Sequence, residues 1–120
     1  MIDRKIEDGD YLEYLIFEVS PALIDTFIDL DHRHWTLFLK DQPGFISKDV
    51  WVNRTKPGEV STITCWRSKQ DWEAVPVERV IEIGAKFQEA LGAENFKLIK
   101  RVHEQNDLYK VREYRSGRWR

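Results

Sequence analysis

The chain has 120 residues, of which 42% are hydrophobic and 33% charged, and its formal net charge at pH 7 is −2. This length predicts a single domain, residues 1–120, and the composition is typical of a folded globular protein rather than a disordered chain. The net charge is too small to imply a charged partner.

Three features bear on the cellular compartment. The opening MIDRKIEDGD carries charges of both signs and no apolar stretch, which does not fit a signal peptide. No apolar run approaches the ~20 residues that a membrane span needs. Cys65 is the only cysteine, so a disulfide within the chain is excluded. We therefore expect a cytoplasmic protein without membrane contact.

The first half of the chain predicts a strand, a helix and a hairpin. YLEYLIFEV (11–19) is rich in aromatic and branched residues, which favours a strand. Ser20-Pro21 fits a helix start, and Asp41-Gln42-Pro43-Gly44 ends that helix after about Lys40. Two further strands are predicted at 45–53 and 60–67, joined by the Pro-Gly loop RTKPGE.

The second half predicts a helix and a fourth strand. Ser68 and Asp71 have the spacing of a helix cap, Pro76 interrupts the helix, and Gly92 follows its end at Leu91. Residues 95–104 are predicted as a strand. The order β-α-β-β-α-β indicates a ferredoxin-like α+β fold, with a four-stranded antiparallel sheet and two helices on one face. Its core would span 11–104, with a C-terminal arm at 105–120.

The first strand also predicts self-association. One face carries Tyr11, Leu15, Phe17 and Val19, and the other carries Leu12, Tyr14 and Ile16, so both faces are apolar. Because two helices cover only one face of the sheet, the other face needs a second cover. We expect a homodimer that packs through its sheet faces.

Two stretches resemble a known family. QPGFISKDVW is similar to the turn into the second strand of the antibiotic-biosynthesis-monooxygenase-like (ABM-like) proteins, and TITCWRSKQDWEAV is similar to their passage from the third strand into the second helix. The resemblance covers about residues 11–104. It implies a dimeric α+β barrel whose subunits each hold a ligand cavity between sheet and helices.

Haem chemistry, found in one branch of that family, does not fit. That branch uses an asparagine of the first strand and a histidine late in the second helix, whereas residues 11–19 hold no asparagine and 69–92 no histidine. We expect no cofactor and no metal site, because Gly-rich phosphate loops and Cys/His ligand spacings are also missing.

Asp31 is the main candidate for a functional group. On a helical wheel it lies in the middle of an apolar stripe, where an unpaired carboxylate is unfavourable. His34, at i+3, would be a partner for proton abstraction, with Asp31 orienting the imidazole. Alternatively, Asp31 anchors a sheet cation, Arg67 or Lys48.

The remaining candidates would form the walls of the site. Trp35 and Phe38 share the helix face with Asp31, and Trp51 and Trp66 lie on the hairpin strands. Large aromatics suit the walls of a pocket for a small hydrophobic ligand, and they also suit a core or a dimer interface. Arg67 would stabilise an oxyanion if it faced inward.

Two functions fit these residues. The first is a cofactor-independent monooxygenase, isomerase or similar proton-abstraction enzyme acting on a small hydrophobic compound. The second is a non-catalytic homodimer, either structural or binding a small ligand.

The end of the chain is basic. KVREYRSGRWR (110–120) holds five basic residues and one acidic residue, a net charge of +4. Basic and aromatic residues together could bind nucleic acid, but no recognition motif accompanies them. We expect instead an added strand or an arm that lies across the body or the dimer partner.

Overall fold

The structure, a computed structural model, describes residues 10–102 and the short strands at 109–110, 114–115 and 118–119. His103 and most of the predicted arm lie outside the described residues.

The predicted ferredoxin-like sheet is confirmed. Its strands are β1 (Asp10–Val19), β2 (Phe45–Val52), β3 (Glu59–Trp66) and β4 (Phe96–Arg101). They pair antiparallel in the order β2-β3-β1-β4. Of the arm, β5 (Tyr109–Lys110) adds to β1, as expected for an added strand, while β6 (Tyr114–Arg115) pairs with β7 (Arg118–Trp119) in a separate two-stranded sheet.

The helical segments begin and end close to their predicted limits. The first consists of a 3₁₀ turn (Pro21–Leu23), α1 (Ile24–Asp31), a π turn (His32–Thr36) and α2 (Leu37–Leu39). The second consists of α3 (Lys69–Glu73), α4 (Val77–Leu91) and a 3₁₀ turn (Ala93–Asn95). Ser68 caps α3 by accepting a hydrogen bond from the Asp71 N–H at 3.1 Å. Pro76 separates α3 from α4, as predicted.

The helices pack on one face of the sheet around two apolar clusters. The first is built from Val19, Phe27, Val60, Phe87 and Leu91. Phe27 is fully buried and meets the ring of Phe87 edge to face, with the centroids 5.5 Å apart. The second cluster is Tyr11, Leu39 and Trp66.

A bulge in β2 decides which of its side chains face the helices. Phe45 pairs with Trp66, but Ser47 already pairs with Cys65, so one extra residue is inserted between them. A shift of one residue moves every later side chain to the opposite face of a strand. Lys48, opposite Thr64, therefore lies on the helix side, and Trp51, opposite Ser61, lies on the outer side.

The π turn has the same kind of effect on the first helical segment. A π turn closes its hydrogen bonds five residues apart, so it holds more residues than an α turn. The residues after Asp31 are thereby rotated relative to an ideal α-helix. Leu39 is buried, whereas a uniform helical wheel would place Phe38 nearer the centre of the stripe.

The turn before β2 depends on Gly44. Its φ is +86°, its carbonyl accepts the Arg67 N–H at 2.7 Å, and a Cβ at this position would collide with the Asp71 side chain. We predict that Gly44→Ala lowers the free energy of unfolding by more than about 1 kcal/mol, because both the backbone and the neighbour resist the methyl group. Lys40→Ala, at an exposed residue of the same turn, should change it by less than about 0.5 kcal/mol. Urea denaturation measures both, and equal effects would contradict the prediction.

Candidate functional site

A cavity of about 590 Å³ lies between the helices and the inner face of the sheet. This volume is within the usual range for small-molecule sites, roughly 300–1,000 Å³. Most of its wall is apolar. The aromatic part of the lining is Phe17, Phe27, Trp35, Trp66, Trp72, Phe87 and Phe96, and the ionisable part is Glu13, Asp31, Lys48, Glu73 and Arg101.

A buried ion pair forms part of this wall. Lys48 Nζ donates to Asp31 Oδ2 at 2.7 Å and to Thr36 Oγ1 at 3.0 Å. The two charged side chains are only 4% and 6% exposed. The pair joins the end of α1 to β2, and it exists because the β2 bulge turns Lys48 inward. No described residue donates a hydrogen bond to the other Asp31 oxygen, Oδ1.

Trp66 contributes a second polar feature. Its side chain is fully buried and lines the cavity, and within the described part of the chain its indole Nε1 has no hydrogen-bond partner. A buried N–H without an acceptor is unfavourable by about 1–3 kcal/mol. Thr64 lies directly opposite Lys48 and is on the same face of β3 as Trp66. Trp66 is therefore the next inward-facing residue of β3 after Thr64.

Glu13 and Trp72 close another part of the wall. Trp72 Nε1 donates to Glu13 Oε2 at 3.0 Å, and the Trp72 ring lies 5.1 Å from the ring of Tyr11, centroid to centroid. These contacts fix α3 against β1, so a carboxylate on the sheet and an indole on the helix are held together at the cavity.

Three of the predicted site residues come together here. Asp31, Trp35 and Trp66 all line the cavity, from α1, the π turn and β3. Asp31 is paired with Lys48, the anchor that the sequence offered as an alternative, and not with His34.

His34 and Phe38 lie away from the cavity. His34 is half-buried and packs edge-on against Phe87, at 6.3 Å between ring centroids. Phe38 lies beneath the Arg79 guanidinium, 5.5 Å from ring centroid to carbon. The π turn accounts for both positions, because the cavity-lining residues of this segment are Phe27, Asp31, Trp35 and Leu39, four residues apart throughout.

Trp51 and Arg67 also lie outside it. Trp51 is 61% exposed on the outer face of the sheet, where the bulge has turned it. The Arg67 side chain is exposed and forms a two-pronged salt bridge with Asp71, at 2.8 and 3.0 Å. The hydrogen bond from Arg67, assisted by one from Ser68, lowers the pKa of Asp71 against a smaller effect of desolvation. Arg67 therefore stabilises the start of α3 rather than facing the cavity.

Sequence reasoning missed Glu13 and gave Lys48 only a structural role. Glu13 follows the alternation of β1 and faces inward with Tyr11 and Leu15, so its position was available from the sequence. Lys48 was offered only as one of two possible anchors of Asp31, because its inward direction depends on the bulge.

Gly84 of α4 provides room in the cavity wall. A Cβ at this position would meet the Trp35 ring at 3.5 Å, which is ordinary contact. Both residues line the cavity, so the indole of Trp35 occupies space that a larger residue at 84 would need.

No group of three or more His, Cys, Asp or Glu in the described ranges is placed to hold a metal ion. None of the helices described is long and apolar enough to cross a membrane.

Solved structures share this architecture. SnoaB, a cofactor-independent oxygenase from Streptomyces nogalater, is 19% identical, with a TM-score of 0.56 over 76% of this chain and 87% of that chain. A Nitrosomonas europaea protein assigned provisionally to the antibiotic biosynthesis monooxygenases is 11% identical, with a TM-score of 0.58 over 80% and 91%. MupZ from Pseudomonas fluorescens is 10% identical, with a TM-score of 0.60 over 84% and 71%.

No protein-family model matches the chain, and no curated protein matches it in sequence. At identities of 19% and below, the structural likeness establishes the fold. The chain thus has the ferredoxin-like α+β fold of the ABM-like structures, as the sequence resemblance implied.

The ion pair leads to a stability prediction. Lys48→Met leaves the Asp31 carboxylate buried and unpaired, so we expect a loss of about 3–5 kcal/mol in the free energy of unfolding. The double variant Asp31→Ala/Lys48→Met removes both charges and should recover most of that loss. Lys86→Met breaks an exposed pair with Glu82 and should change stability by less than about 1 kcal/mol. Urea denaturation of the three variants measures these differences, and a double variant as unstable as Lys48→Met would contradict the prediction.

Proposed function

We propose that the protein binds a small, largely apolar compound in the cavity and removes a proton from it without a cofactor. The observation that carries this proposal is the position of Asp31, which is buried, paired and still part of the cavity wall. An apolar cavity with a few polar groups is the common form of a small-molecule site. The likeness in fold to SnoaB, described as a cofactor-independent oxygenase, supports the same class of chemistry.

Asp31 would be the base. In the proposed step a C–H bond next to a carbonyl group breaks, its proton moves to Asp31 Oδ1, and the electron pair delocalises onto the carbonyl oxygen as an enolate. Because Asp31 becomes neutral as the enolate forms, Lys48 keeps a negative partner and the total charge of the site does not change. In an oxygenase, dioxygen as the second substrate would take one electron from this carbanion and recombine with the resulting carbon radical, which forms a C–O bond and a peroxide that recovers the proton from Asp31. Reprotonation at another carbon gives an isomerase.

A second candidate is a non-catalytic ligand-binding protein. The close contact between Asp31 and Lys48 favours it. Joining α1 to β2 is by itself a sufficient role for a carboxylate that a buried cation holds. The two candidates agree on the ligand and differ on whether Asp31 accepts a proton.

Hydrogen–deuterium exchange separates them. With 1-indanone as the probe in D₂O, we expect the protein to accelerate exchange at the carbon next to the carbonyl, as followed by proton NMR. Asp31→Asn should lower the rate about a hundredfold or more, since general bases contribute factors of this size. Asp29→Asn, at an exposed aspartate of the same helix, should leave it unchanged.

A second pair of variants tests whether the cavity is the place of reaction. Val80→Phe fills the cavity and should abolish exchange, whereas Ile81→Phe, at the adjacent residue that is 67% exposed, should not. Binding of indanone without any acceleration would reject the enzyme and favour the binding protein.

We also propose that two copies associate through the outer faces of their sheets. By register that face carries Leu12, Tyr14, Ile16 and Ile63, together with the exposed Trp51. A specific interface buries about 800 Å² on each partner, which a four-stranded sheet can supply.

Trp51→Glu should therefore shift the protein towards monomer, because a charged residue would replace an exposed aromatic side chain on the interface face. Sedimentation velocity at micromolar concentrations measures this, with Lys56→Glu at an exposed loop residue as the control. A wild-type protein that sediments as a monomer would contradict the dimer.

A further inference from the structure

One N–H group of the Lys48 ammonium has no hydrogen-bond acceptor among the described residues. An ammonium group donates three hydrogen bonds, and Asp31 and Thr36 accept two of them. No acceptor for the third is found among the described residues, although the lysine side chain is only 4% exposed. Because Lys48 lines the cavity, an acceptor can reach it from there.

The same wall contains a second unsatisfied donor. Trp66 Nε1 is buried without a partner among the described residues, and Trp66 is the next inward residue after Thr64, which lies opposite Lys48. Side chains at such diagonal positions on adjacent strands are within reach of one another when they are long or aromatic. Trp66 Nε1 is enclosed by the protein, whereas Lys48 keeps a slight exposure, so Lys48 is the donor that an oxygen atom of the occupant would reach.

We infer that Lys48 contacts the ligand directly and donates its third N–H to an oxygen acceptor, so the cavity selects compounds with a carbonyl or phenolic oxygen over hydrocarbons of the same shape. The inference rests on the proposed cavity ligand and names its chemical class. Thr36 and Asp31 hold the ammonium in place, which spares the ligand the entropic penalty of ordering a flexible lysine.

The salt bridge to Asp31 changes which kind of oxygen the Lys48 ammonium prefers as an acceptor, and it leaves one N–H group able to donate. A lone buried cation would favour a fully charged anion, whereas a cation already paired with a carboxylate favours a neutral oxygen or one whose charge develops during reaction. A ketone or phenol meets this requirement better than a carboxylic acid does.

The matched pair 1-indanone and indane tests this selection, since the two differ by a carbonyl in place of a methylene. We expect wild-type protein to bind indanone about tenfold more tightly than indane in calorimetric titration, which is the lower range for a hydrogen bond to a charged group. The double variant Asp31→Ala/Lys48→Met, which carries no unpaired charge, should bind the two with similar affinity.

A spectroscopic measurement separates direct contact from a change in shape. The carbonyl ¹³C resonance of labelled 1-indanone should move downfield when bound to the wild type, because the oxygen accepts a charge-assisted hydrogen bond. In the double variant this displacement should be lost while indane still binds.

The outcomes are distinguishable. Equal affinities in the wild type, or a preference retained by the double variant, would overturn the role of Lys48 and leave the cavity proposal intact. A preference that survives in the double variant and disappears in Trp66→Phe would assign the donor to Trp66 instead. Failure of both compounds to bind would reject the proposed function together with this inference.

Discussion

The salt bridge between Lys48 and Asp31 is the contact on which the rest of the site depends. It joins α1 to the edge strand of the sheet, and it places opposite charges in a cavity whose walls are otherwise mostly apolar. Burying two ions is compensated only when their geometry is good, and the short contact to Asp31 with the added bond to Thr36 provides that geometry. One pair of residues therefore affects both the stability of the fold and the polarity of the cavity wall.

The fold was predictable from the sequence because its signals are local. Proline and glycine mark the ends of the elements, and a serine cap begins the second helical segment. The apolar residues on both faces of the first strand predict that each face of the sheet is covered. Asp31 was also predictable as a buried group. A carboxylate in the middle of an apolar helical stripe needs either an ion-pair partner or a functional role.

The rest of the site was not predictable, because two insertions alter its registers. The π turn after Asp31 rotates His34 and Phe38 off the cavity face and brings Leu39 onto it. The bulge after Phe45 sends Trp51 outward and Lys48 inward. Periodicity assumes a constant number of residues per turn or per pleat, and each of these irregularities breaks that assumption by a single residue. π turns and bulges are both frequent near functional sites, which agrees with their positions here.

The glycine at position 84 affects how the size of this cavity could change between related chains. The glycine faces Trp35 across a gap that accommodates one methyl group but leaves little room beyond it. A progression from glycine to alanine to valine at this single helical position would shorten the longest ligand that fits, step by step, without disturbing Asp31, Lys48 or the sheet. A single codon therefore affects the size of the cavity while Asp31 and Lys48 are retained.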